Sequence, residues 1–430
     1  MRWTKDAQCH FLRDEILTDE LMFKSATAAT HRLATLSTQL SRPRTLTTSP
    51  IIAAKMTDPS KYKFNHSMLR VKDPKASLAF YKHLGMSVVE QKKFPDNKFD
   101  LYFLAYDSPK AASHGNHWSD REGIIELTHN YGTEDDPNYK VANGNKEPGK
   151  GFGHVCVSVD NIQAACKRIA DAGYKFQKRL EDGRMRSIAF ALDPDEYWVE
   201  IIAQNPVSET ENVTTTDVGT YRMNHTMIRV KDKDVSVKFY EEVMGMNLKR
   251  VSENKDAQFN LYFLGYGAPA PEQSANGVNP VADREGLLEL TWNYGTEKEE
   301  GQVYHNGNTE PQGFGHICVS VDNLDAACKR FEEKGVQWKK RLTDGRMKNV
   351  AFVLGELTCA CLGSIPRKLT VLHRPRQLLD RSDPERGARQ ASGRLLGSKH
   401  EHVSRIAKIM LPWTDPPSLP TINDCYEYYF

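Results

Sequence analysis

The 430-residue chain has no apolar run long enough to cross a bilayer, which argues against a helical membrane protein. It also has no excess of one charge. Its 58 Lys and Arg against 56 Asp and Glu leave a formal +2, too little for a broad nonspecific nucleic-acid surface. Cysteine is sparse, at eight residues. Cys156 and Cys318 fall in similar surroundings, as do Cys166 and Cys328, so they read as reduced packing residues of a cytoplasmic-type protein. No signal peptide is visible ahead of the sequons Asn65-His66-Ser67 and Asn224-His225-Thr226, which therefore read as coincidental. A chain this long can bury a core in each of two domains, so stability requires no disulfide or metal staple. Any metal ligands need another reason.

What is present is an internal repeat between about 62–206 and 220–354. The pairs include NHSMLRVKD with NHTMIRVKD, IIELTHNYGTE with LLELTWNYGTE, GFGHVCVSVDN with GFGHICVSVDN, and DGRMRSIAF with DGRMKNVAF. A period this long implies a duplicated domain, not a solenoid. The polar, Thr-rich segment 207–219 reads as the linker. Within each copy the order is strand, helix, strands, then strand, helix, strands. Asp73-Pro74 starts a helix that Gly85 stops, with Leu78, Tyr81 and Leu84 on one face; Asp160 or Asn161 caps a second helix, which Gly173 stops. The expectation is an α+β fold of four βαβββ modules built on curved sheets.

Two ends fall outside the repeat. Residues 1–60 read as a disordered or targeting extension. From Met22 to Lys55 it is rich in Ser, Thr and Arg and free of acids, as a mitochondrial presequence would be if translation began there; otherwise a cytoplasmic protein is expected. After Leu354 the second copy diverges into GELTCACL, and 355–430 shows no sustained period. That end reads as a divergent, disordered tail from a retained intron or a shifted frame, leaving copy two truncated at its last strand.

Strand alternation places ionisable groups on shared faces. His66, Met68 and Arg70 point one way, Glu126, Thr128 and Asn130 share a face, His154 lies with Cys156, and Glu200 stands between Trp198 and Ile202. Buried carboxylates on apolar strands need compensation. Two His and two Glu per copy make a nitrogen and oxygen donor set for one divalent ion, with positions left for water or substrate. Singly, each residue reads as a surface group or a buried ion pair. Recurrence of His225, Glu289 and His316 in copy two favours the metal reading.

In order and spacing, the motifs NHSMLRVKDP, LYFLAY, ELTHNYGTE, GFGHVCVSV, DGRM and DPDEYWVE resemble those of glyoxalase I, of the vicinal-oxygen-chelate fold, in its fused two-copy monomeric form. The resemblance implies a lyase acting on the hemithioacetal of methylglyoxal and glutathione. It implies one divalent ion per competent site, zinc expected and nickel the alternative, because the first ligand is histidine where some relatives have glutamine. Sites in the family close across two copies, which implies an internal pseudo-dimer in a monomer. The implied complete set is His154, Glu200, His225 and Glu289, with Glu200 and Glu289 catalytic. The incomplete set is His66, Glu126 and His316, because Leu362 stands where copy one has Glu200. The resemblance assigns the substrate to Arg229, Asn293, Lys150, Arg184 and Met185, and in the incomplete site to Arg70, Asn130, Arg346 and Met347. Lys150 and Gln312 stand where some relatives have arginine. The competing expectations are an extradiol dioxygenase of the same fold and a non-catalytic binder of glutathione conjugates.

Overall fold

Short apolar alternations between glycine and proline breaks organise the chain into quarters. The computed structural model describes residues 56–183, 185–207, 214–270, 279–345, 348–355 and 407–412. Copy one opens with β1 (Lys63–Val71), α1 (Pro74–His83), β2 (Ser87–Phe94), β3 (Phe99–Ala105) and β4 (Ile124–Asn130). It continues with β5 (Phe152–Val159), α2 (Ile162–Asp171), β6 (Phe176–Lys178), β7 (Ile188–Leu192) and β8 (Trp198–Ala203). Copy two repeats this as β9 (Arg222–Val230), α3 (Lys233–Lys238), β10 (Asn247–Asn254), β11 (Phe259–Gly265) and β12 (Leu287–Asn293). Then come β13 (Phe314–Val321), α4 (Leu324–Glu333), β14 (Trp338–Lys340), β15 (Val350–Val353) and a last strand, β16 (Ala407–Pro412). None of the described helices is long and apolar enough to cross a membrane.

The helix ends follow the sequence signals. Asp73 accepts from the Lys75 N–H with Pro74 in the first turn, and Asn161, rather than Asp160, caps α2 through the Ala164 N–H. Asp160 instead accepts from the Asp217 N–H at 2.9 Å and ties down the linker. Gly85 and Gly173 take φ of +93° and +82°, the left-handed conformation that ends each helix.

The sheets do not follow the copies. One eight-stranded sheet runs β10-β11-β12-β9-β5-β8-β7-β6, the other β14-β15-β16-β13-β1-β4-β3-β2. Each therefore joins the first half of one copy to the second half of the other. The seam is β5 antiparallel to β9 and β13 antiparallel to β1. Both faces of β5 are buried, so Val155, Val157 and Val159 each stabilise by about 1.5–3 kcal/mol. At the centre of the fold the buried Ser67 and Thr226 hydroxyls share a 2.7 Å hydrogen bond, and Phe152 stacks on Phe314 at 5.0 Å.

The end of copy two departs from expectation. Copy two was expected to lack its closing strand and to leave an open edge, with all of 355–430 disordered. Instead, residues 407–412 fill that slot, antiparallel to β13 and parallel to β15. In copy one the equivalent strand runs the other way, with β8 parallel to β5 and antiparallel to β7. The missed signal is short: AKIMLP is only six residues, too few to show a period. An open slot between two strands presents unpaired backbone groups that any extended segment can satisfy, in either direction. Leu362 lies outside the described residues, as does the Met22 segment.

Candidate active site

The seam brings ligand-bearing strands together. On one side of β5, Cys156 is opposite His225 of β9; on the other it is opposite Glu200 of β8. On β12, Glu289 is opposite Met227 of β9. Gly153 makes the approach of β5 to β9 possible, since a Cβ there would collide with the Met227 side chain; Gly315 stands in the same relation to Met68.

As a result His154, Glu200, His225 and Glu289, all buried, bring one donor atom each to within 4.8 Å of the others. The Nε2 atoms of His154 and His225 are 3.2 Å apart. From His225 Nε2, a carboxylate oxygen of Glu200 lies at 3.0 Å and one of Glu289 at 2.9 Å. From His154 Nε2 the same two residues are at 3.3 and 3.8 Å. Each ring also meets a phenylalanine edge, Phe190 for His154 and Phe263 for His225. In the other sheet His66, Glu126 and His316 converge likewise, with His66 Nε2 2.9 Å from Glu126 and 3.3 Å from His316 Nε2. The cross-copy grouping expected from the resemblance is the one the fold assembles.

Charge in the four-donor centre is strongly coupled. Burial works to lower His154, but Glu200 and Glu289 outweigh it and raise its pKa. Burial likewise opposes His225, which Cys156, Glu200 and Glu289 push well above its ordinary value. Burial would raise both glutamates, yet the two histidines hold Glu200 far below the usual carboxylate range and Glu289 down to about 2.

An asparagine that the sequence reading treated only as part of a sequon sets the histidine tautomer. Asn224 is fully buried, and its Nδ2 donates to the carbonyls of Val281 at 2.7 Å and Arg284 at 2.8 Å. With its donors spent, its Oδ1 accepts from His225 Nδ1 at 2.7 Å, so His225 presents its Nε2 lone pair to the centre. Asn65 repeats this, donating to Trp118 and Arg121 carbonyls and accepting from His66 Nδ1 at 2.8 Å. Glu126 Oε2 is buried and makes no hydrogen bond despite its 2.9 Å approach to His66 Nε2, as expected of a lone pair facing an anion. Facing lone pairs and carboxylates need a proton or a cation among them. The donor set and its buried Asn support fit a divalent ion. Asn224→Ala is expected to weaken metal binding about 10–100-fold, read by competition with a chromophoric chelator. Unchanged affinity removes the tautomer argument. The duplicated Asn-His dipeptide was the available signal.

The residues expected to hold substrate are placed less uniformly. Arg229 donates from Nη1 to the Gly144 and Phe152 carbonyls at 3.1 and 2.8 Å and from Nη2 to Asn145 at 2.9 Å, pinning the loop before β5. Arg70 does the same in the other copy with Gly307, Gly313 and Asn308. Asn293 donates to the Tyr304 hydroxyl at 2.7 Å, Asn130 ends β4, and the Lys150 carbonyl accepts from His305 N–H at 2.7 Å. Met185 is exposed and lines a cavity of about 820 Å³ with Cys166, Phe176 and Leu180, a cavity to which no residue of the four-donor centre contributes. Arg184, Arg346 and Met347 lie outside the described residues.

The sequence profile of the Glyoxalase/Bleomycin resistance protein/Dioxygenase superfamily matches residues 63–201 and 222–359. Lactoylglutathione lyase of Schizosaccharomyces pombe is 49% identical over 70% of this chain and 95% of that protein. Glyoxalase I of Saccharomyces cerevisiae is 45% identical over 71% of this chain and 92% of that protein. Lactoylglutathione lyase of Pseudomonas putida is 46% identical over 38% of this chain and 97% of its own length. Two matched repeats, the cross-copy sheets and these relatives together place the chain in the glyoxalase I (lactoylglutathione lyase) family, as a fused tandem member.

Proposed function

We propose that the chain is a lactoylglutathione lyase that converts the hemithioacetal of methylglyoxal and glutathione to S-lactoylglutathione, removing methylglyoxal, with one competent centre at His154, Glu200, His225 and Glu289. The observation that carries this is the placement of two buried carboxylates, one from each copy, beside two Nε2 atoms. A divalent ion bound there supplies Lewis-acid stabilisation of negative charge developing on the substrate oxygens. Zinc is the expected ion and nickel the alternative.

The residues do the proton work. The C1 proton of the hemithioacetal is weakly acidic because it adjoins a carbonyl. Glu200 removes it, and return of a proton at C2 gives the thioester, with Glu289 on the opposite side sharing the traffic. The Glu200 carboxylate lies 3.0 Å from His225 Nε2 and 3.3 Å from His154 Nε2, so the same group that completes the donor set stands at the centre as the base. The reaction is an isomerisation within one substrate and balances without a redox partner. The glutathionyl carboxylates are assigned to Lys150 and the Arg229 neighbourhood, and the family resemblance adds Asn293, Arg184 and Met185 as expected substrate contacts. Because the copies pair with each other, one chain forms the whole unit and acts as a monomer.

A purified chain supplied with metal, glutathione and methylglyoxal is expected to form S-lactoylglutathione far above the uncatalysed rate. Tight binding of glutathione conjugates with no thioester formed would support a sequestering protein instead. Oxygen uptake with a catechol would support the dioxygenase reading, against which four donors, rather than three, argue.

A further inference from the structure

Both copies carry the dipeptide Glu-Gly just ahead of the strand that bears a candidate ligand, Glu122-Gly123 before β4 and Glu285-Gly286 before β12. The two dipeptides meet across the copy interface. A Cβ on Gly286 would come within 2.8 Å of Glu122 Cβ, and one on Gly123 within 3.3 Å of Glu285 Cβ. The contact is thus reciprocal, as in a twofold dimer. Both glycines hold φ of +67°, a conformation that side chains disfavour, and each is fixed within its own copy. Gly123 N–H donates to the Phe64 carbonyl at 3.2 Å and Gly286 N–H to that of Met223 at 3.1 Å.

Two half-buried glutamates are therefore held beside each other, and the cations around them are committed elsewhere. Lys63, at the start of β1, gives its ammonium to Asp120 at 2.6 Å. Lys249 of β10 donates to the Gly267 and Ala268 carbonyls at 2.7 and 2.8 Å, and Arg284 to those of Ala268 and Pro269. Arg121 pairs with Asp107 at 2.7 Å, and its Nη1 and the Nε of Arg222 are buried without a hydrogen-bond partner. Neither Glu122 nor Glu285 forms an ion pair among the described residues. The Tyr266 phenol, just past β11, faces Glu122, and the Tyr106 phenol, just past β3, faces Glu285. Burial pushes both carboxyls up to about 7. For Glu122 the charge of Glu285 adds to this, against Lys63, the Phe64 N–H and Lys249; for Glu285 the opposing groups are Arg222 and Arg121.

We propose that the Glu122–Glu285 contact is a pH-sensitive latch between the two copies, closed when the carboxyls are protonated and loosened by their repulsion and desolvation when both are ionised. The latch belongs to the copy interface and stands apart from the proposed reaction. It acts on the frame of the four-donor centre, because β12 runs from Glu285-Gly286 directly to Glu289 and the centre draws residues from both copies. The sign follows from linkage. A carboxyl raised in the folded state contributes stability that is complete below its ordinary 4.5 and is lost as pH rises through about 7.

The test is a melting series on the full zinc-loaded chain from pH 5.5 to pH 8, comparing the parent with a double variant, Glu122→Gln with Glu285→Gln. Glutamine keeps the shape and stays neutral, so it stands in for the protonated carboxyl at every pH. The pH dependence of the metal centre is common to both chains and drops out of the difference. The double variant is expected to melt about 4 °C or more above the parent at pH 8, with the gap about halved at pH 5.5. At pH 8 the Gly123 and Gly286 amides should exchange about threefold or more slowly in the variant than in the parent. A gap that does not change with pH, or that widens as pH falls, overturns the proposal. So does a melting gap with unchanged exchange at both glycines, which places the effect away from the contact. Should the double variant fail to fold, Glu285→Gln alone replaces it, with about half the gap expected at pH 8 and no gap there overturning the latch.

Discussion

Glu200→Gln is expected to lower lactoylglutathione-forming turnover by about a thousandfold or more, while Glu126→Gln keeps most of it. The asymmetry follows from how the centres are assembled. Glu200 lies 3.0 Å from His225 and 3.3 Å from His154, so its amide would remove both a charged donor and the proposed base. A positioned general base alone contributes about 10²–10⁴-fold, and loss of a metal donor adds to that. Glu126 is as deeply buried, yet it belongs to the three-donor group, where no second carboxylate is present among the described residues. The measurement is kcat of each purified variant at saturating metal. About half the activity left in Glu200→Gln would mean two competent centres, and the one-centre reading would be wrong.

Removal of the metal is expected to take activity below about 1% of the loaded enzyme and to be reversed by adding the ion back. It should also lower thermal stability in a pH-dependent way. A ligand present at about a thousand times its dissociation constant stabilises the fold by about 4 kcal/mol. In metal-free protein the centre holds itself together with His-Glu pairs. The raised His154 and His225 contribute stability that is complete below their ordinary 6.5 and is lost as pH rises through their folded values. The depressed Glu200 and Glu289 contribute stability complete above their ordinary 4.5 and lost as pH falls through the folded values. The metal-free protein is thus most stable between about 4.5 and 6.5 on this account. Metal competes with the histidine protons and binds more tightly as pH rises. The melting-temperature gain on adding zinc should therefore grow from pH 5.5 to pH 8. A gain that is flat or shrinks over that range, or full turnover in rigorously metal-free protein, would contradict the metal reading.

Legibility differed by length scale. Alternation along HSMLRV, IELTHN and HVCVSV was enough to place His66, Glu126 and His154 on definite faces, because a strand has a period of two and each run is long enough to show it. Helix ends at Asp73-Pro74 and Gly85 were equally readable from local chemistry. Which strand lies beside which was not local, and the pairing of β5 with β9 came from likeness to a family. The six-residue β16 was invisible because its pairing is decided by the vacancy it fills, not by its own pattern. Asn224 was misread for a related reason. Its role depends on carbonyls at Val281 and Arg284, 57 and 60 residues away, and nothing in the Asn-His-Thr tripeptide announces them.

The exchange of halves between the copies has a consequence for inheritance. Had each repeat owned its own centre, a lesion at the end of the second would have spared a free-standing first repeat, and either could have survived alone as a gene. Here each centre is held in joint tenancy, with β9 and β12 serving one and β13 serving the other. Neither repeat is dispensable, yet damage confined to the stretch after Leu354 falls on one tenancy only. Such an arrangement lets one centre drift under relaxed selection while the strands of the same repeat remain constrained by the other.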